Sequence, residues 1–195
     1  MAWYGIASGL VLAAAFFDWR TRRIPILIGY GMILLAFLFL LVQNLWWSAA
    51  FLALVVYGSR SPSAMLPSVI IWIAMAQSGQ SNPALVAGLY LATLLLWLGW
   101  FQGGDTQIAY ALLALAGDWW IFAYLFGGTI LFGLLLIIAK YGAGGAFGRF
   151  RHVAGALNHG KNDAAAIRLP WAVLAAVFAW TYFWLLPGVA LQRGY

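Results

Sequence analysis

The chain contains no cysteine and no glutamate. Without cysteine there is no disulfide, no thiolate-held zinc and no thiol nucleophile. Without glutamate there is no His-Glu-x-x-His metalloprotease helix. Charge of either sign is scarce, at 7% of residues, against 66% hydrophobic. Soluble domains carry about 25% charged residues, and a 195-residue globule cannot bury this much apolar side chain. Lipid is the solvent this composition requires. The runs are continuously apolar and Leu/Ala-rich, without strand-like alternation, so helices are expected rather than a barrel. The fold expected is all-α, a polytopic membrane helix bundle in one domain over 1–195.

Apolar segments fall near 3–17, 24–42, 45–58, 64–77, 84–101, 106–125, 127–140 and 169–187. A helix needs about 20 residues to cross the hydrocarbon core, so the shorter segments span at a tilt or re-enter. Six to eight transmembrane or re-entrant helices result. "AAAFF" offers a signal-peptidase-like site ending at Ala15, but no basic region precedes it, and 3–17 reads as a retained span.

The ten cations are clustered. Arg20, Arg22 and Arg23 form one group, and Lys140, Arg149, Arg151, Lys161 and Arg168 another. In a membrane protein such clusters report topology through the positive-inside rule. Placing 18–23 in the cytoplasm and counting crossings returns 59–63, 102–105 and a loop at about 141–168 to the same side. The pair 45–58 and 64–77 both cross or both fail to cross, with the same parity. The loop is read as lying on anionic lipid, and nucleic-acid binding is not expected. Trp3, Trp19, Trp46, Trp47, Trp100, Trp119, Trp120 and Trp171 sit near segment ends, as an interfacial belt would.

Ionisable groups beside spans are costly and mark function. The four carboxylates are Asp18, Asp105, Asp118 and Asp163. Topology puts Asp18 and Asp105 on one face. Each also has a plain structural reading: Asp18 as an interfacial residue paired with Arg20 or Arg22, Asp105 as a helix N-cap before Thr106. Asp118 lies 13 residues past Asp105, about 20 Å along one helix and too far for a dyad; it caps or ends a helix. Asp163 and the histidines, His152 and His159, fall in the polar loop. Two carboxylates at one depth suit amide hydrolysis, one protonated as acid while the other activates water. Gly103 and Gly104, before Asp105, permit close backbone approach and conformations closed to other residues, either for a substrate strand or for a simple turn.

At these residues the sequence resembles the prepilin peptidase family of Gly-x-Gly-Asp aspartic proteases. "DWRTRRIP", Asp18 to Pro25, is similar to the family's Asp, a basic stretch and Ile-Pro-Asn. "GGDTQIAYALLALAGDW", Gly103 to Trp119, resembles Gly-x-Gly-Asp-x-Lys leading into a Leu/Ala-rich helix. "LPWAVLAAVFA", Leu169 to Ala179, resembles its Pro-aromatic-small helix start. The resemblance implies that Asp18 and Asp105 are catalytic, that Gly104 precedes the second aspartate, and that Pro170 shapes a substrate channel. It implies cleavage of type IV prepilins or pilin-like precursors at the cytoplasmic face of a prokaryotic inner membrane, after a short basic leader, with no metal and no cofactor. The cysteine-bearing domain of longer members is absent, so a short form that does not N-methylate its product is expected. Gln102, Gln107 and Ile26 depart from the family's Gly, Lys and Asn. They motivate an alternative, a non-catalytic membrane subunit that retains the fold. A transporter using the aspartates as proton sites ranks last, because the spans carry few polar residues at mid-depth.

Overall fold

The computed structural model describes residues 2–21, 23–80, 82–97, 103–118, a scattered set between 120 and 142, and 171–185. The described residues are helical, with short turns and no strand. In chain order the helices are α1 (Ala2–Thr21), α2 (Ile26–Val42), α3 (Trp46–Gly58), a 3-10 turn (Pro62–Met65), α4 (Leu66–Gln77), α5 (Pro83–Trp97) and α6 (Gly103–Ala116). The scattered described residues between 120 and 142 are helical and are numbered as α7, and α8 is Trp171–Leu185.

Punctuation residues set the ends. Pro25 precedes α2 with extended backbone (φ −57°, ψ 134°), as a residue without an N–H does at a helix entry. Asn44 turns the chain between α2 and α3 with φ 60°, a left-handed conformation asparagine tolerates. The 106–125 stretch, read from hydropathy as one segment, is broken. Gly117 adopts φ 61° after α6 and Asp118 restarts the chain, a left-handed helix stop followed by a capping residue.

The broadest helix interfaces are between α2 and α6, which run in the same direction with their starts together, and between α1 and α8, which run antiparallel. α6 is the central element. Every residue from Ile108 to Leu115 is buried, and a helix apolar on all sides is stable when it is enclosed on all sides. The outer helices differ. α2 and α4 direct apolar residues outward, with Leu27 85% and Ile70 68% exposed. Trp19, Trp46 and Trp120 also face out, whereas Trp3 packs edge-on against Phe39 at 6.0 Å. Among the described residues, α1 is the one helix long and apolar enough to cross a membrane, with 20 residues; the other apolar helices are shorter.

Side-chain bonds mark the two ends of the bundle. At one end the Trp97 indole N–H donates to the Ser59 carbonyl at 2.8 Å, joining the exits of α5 and α3. At the other, the Asn82 amide donates to the Gly117 carbonyl at 2.8 Å and accepts from the Leu85 N–H at 3.0 Å. Gln80 there reaches the Asn44 carbonyl at 3.4 Å. α3 and α4 both run from one end to the other.

Candidate active site

Asp18 sits in the last turn of α1. It continues the inward stripe Ala7, Val11, Ala14 and Ala15, the spacing of one helix face, and is 8% exposed. Its side chain is therefore packed against protein, and its pairing with Arg22 lies outside the described residues. Arg20, two positions on, is exposed, and residues two apart on a helix do not face each other. Asp18 Oδ2 accepts a hydrogen bond from the backbone N–H of Ala172, in the first turn of α8, at 3.1 Å. The first-turn amides of a helix have no intrahelical acceptor. The aspartate satisfies one of them, where the helix dipole favours negative charge.

The chain turns just beyond. The Thr21 hydroxyl lies 2.9 Å from the Phe17 carbonyl oxygen and 3.0 Å from that of Arg23, one donor shared between two acceptors at the end of α1. Ile24 and Pro25 then lead into α2. Ile24 packs against the core and meets α6 at Gly104, where an added Cβ would lie 2.9 Å from the Ile24 Cβ. The branch point of Ile24 is held by its own backbone, so it cannot swing aside. Gly104 is required here for close approach.

Asp105 follows immediately, partly exposed. It is in the first turn of α6, because the helix begins at Gly103. This corrects the N-cap reading, in which Thr106 opened the helix. Gly103 and Gly104 are helical too, so unusual backbone conformations are not their purpose. Gly103 is exposed, with open space where a Cβ would stand. One turn into α6, Gln107 presses its side-chain amide onto Gly29 of α2, which lets these two helices approach.

Asp18, Ile24, Gly104 and Asp105 thus gather at one end of the bundle, together with the exposed Arg20 and Arg23. Asp118 lies at the other end. Its Oδ1 accepts from the Trp120 N–H at 3.1 Å and its Oδ2 from the Tyr182 hydroxyl at 3.4 Å. The cap expected of it from its sequence position is what it makes. Pro170, Gln102, Arg22, His152, His159, Asp163 and all but residue 142 of the 141–168 loop lie outside the described residues. Among the described residues no three His, Asp or Glu side chains converge as a metal site would require.

Sequence reasoning missed Ala172 and Gly29, and met Ile24 only as part of the Ile-Pro pair, without its contact to Gly104. Ala172 contributes a backbone donor, which no side-chain pattern announces. Gly29 carried a usable signal, a glycine inside an apolar helix that marks a close neighbour. No protein-family model matches the chain, and no curated protein and no solved structure matches it either.

Proposed function

We propose that this chain is an integral membrane aspartic endopeptidase that removes the leader of type IV prepilins or pilin-like precursors at the cytoplasmic face of a prokaryotic inner membrane. The observation that carries the reading is the meeting of the α1–α2 turn with the start of α6. Ile24 against Gly104 brings the end of α1, with Asp18, to the turn that holds Asp105. The order of motifs along the chain and their resemblance to the prepilin peptidases add the substrate class.

The membrane reading rests on composition and on the outward faces. Leu27, Ile70, Leu66 and Ile26 are exposed large apolar side chains on outer helices, the kind of surface that acyl chains solvate. α3, at 13 residues, and α4, at 12, are short for a span, and a bilayer thins locally around short spans at modest cost. The exposed Arg20, Arg23 and Arg60 all lie at the Asp18 end, which the positive-inside rule assigns to the cytoplasm.

In the reaction, Asp18 and Asp105 share one proton. The ionised carboxylate takes a proton from water as the water oxygen attacks the scissile carbonyl carbon. The protonated carboxyl polarises the carbonyl oxygen and then gives its proton to the leaving amine. Gly103, exposed beside Asp105, offers backbone against which an extended leader can lie, and Pro170 would border the same approach.

The test is processing of a prepilin-like precursor by the purified protein in lipid. Wild type should cut, and Asp18→Asn and Asp105→Asn should each leave the precursor intact. Normal processing by either variant overturns the dyad. A second reading, a non-catalytic subunit, draws on Gln107, which packs on Gly29 where the resembled family carries a cation. Wild-type protein that cuts no prepilin-like precursor would favour it.

A further inference from the structure

We infer that the backbone N–H of Ala172 is a positioning group for Asp18, so that the amino end of α8 is a working part of the proposed site rather than scaffold alone. The inference rests on the protease reading. Ala172 N–H donates to Asp18 Oδ2 at 3.1 Å, and Ala172 is fully buried. A carboxylate turns readily about its last torsion, whose preference is broad. A charge-assisted bond to one oxygen fixes the plane of the group, and with it the direction in which the other oxygen points. General-base chemistry depends on that direction, because misplacement by a fraction of an ångström is costly in rate.

The amide is itself held from a distance. α8 runs antiparallel to α1 over a broad interface. At the opposite end the Trp184 indole N–H donates to Ser8 Oγ at 3.1 Å, and Phe183 stacks on Tyr4 at 4.7 Å. Tyr182 reaches Asp118 there as well. These contacts set where α8 lies without help from Asp18. Losing the amide therefore leaves the helix docked and changes only how Asp18 is held.

Ala172→Pro removes the N–H at a first-turn position, where proline costs no intrahelical bond. Because the site is tightly packed, a second variant removes the donor at constant shape: an ester in place of the Trp171–Ala172 peptide bond, introduced with lactic acid at position 172. Ala172→Gly keeps the N–H as control. All are assayed in lipid for kcat and KM on the precursor, per folded molecule, with thermal unfolding alongside. The proposal expects the ester and proline variants to lose kcat by about tenfold to a hundredfold, the range for a bond to a charged group, with KM within about twofold of wild type and Ala172→Gly retaining kcat. An ester variant that melts earlier but keeps wild-type kcat shows a purely structural bond and overturns the proposal, leaving the protease reading intact. A wild-type protein that does not cut overturns both.

Discussion

Asp18 and Asp118 are buried to the same degree, at 8% and 9% exposure, at opposite ends of one bundle, yet they are built differently. Asp118 bonds the N–H two residues on and the hydroxyl of Tyr182. Its nearest partner is local, and the pattern is that of a helix cap. Asp18 bonds an amide 154 positions away and stands at the end where Gly104 admits Ile24 and Asp105 lies in the first turn of α6. Polar surroundings differ as well: arginines lie at the Asp18 end, amides and carbonyls of Asn44, Gln80, Asn82 and Gly117 at the other. Burial alone does not set the proposed catalytic carboxylate apart from the one that caps a helix.

The largest expected contrast is chemical. Asparagine at position 18 should cost about a thousandfold or more in cleavage rate, since an amide accepts hydrogen bonds but cannot take a proton. Asparagine at position 118 should leave the rate near wild type, because asparagine caps helices as well as aspartate does. A precursor mobility assay on both variants decides it, and loss of cleavage in Asp118→Asn would break the distinction.

Next is packing at the Asp105 turn. Gly104→Ala forces a methyl into Ile24 and should destabilise by about 1–3 kcal/mol, with reduced cleavage, both partly restored by adding Ile24→Ala. Gly103→Ala meets open space and should stay within about 0.5 kcal/mol of wild type. Unfolding in detergent, followed by tryptophan fluorescence, measures both. Asp118→Ala should then cost about 1 kcal/mol through its lost cap without loss of kcat. The smallest effect is expected at Ser8→Ala, which removes the acceptor for Trp184 and should cost about 0.5–1.5 kcal/mol on the same unfolding measurement.

The helical class and the apolar exterior were legible in composition, because a chain with 7% charge has little else to present. That Asp18 and Asp105 lie at the same end of the bundle followed from counting apolar runs and from where the arginines lie. The break at Gly117 was written as Gly-Asp between apolar runs, a helix stop followed by a helix start, and hydropathy averaged over it. The start of α6 was misplaced by three residues because aspartate favours caps and glycine disfavours helix interiors; packing of Gly104 on Ile24 outweighed that preference. The Ala172 amide could not be read at all, being main chain brought up by tertiary contact.

The pairing of α1 with α8 has a consequence for biosynthesis. A ribosome releases α1 well before α8, and chains form structure in the order they emerge. Until residue 172 has been made and α8 has docked, Asp18 lacks the amide that holds it. A nascent or truncated chain can carry both aspartates and still lack that amide, so under the protease reading the proposed site is completed only once α8 has been translated.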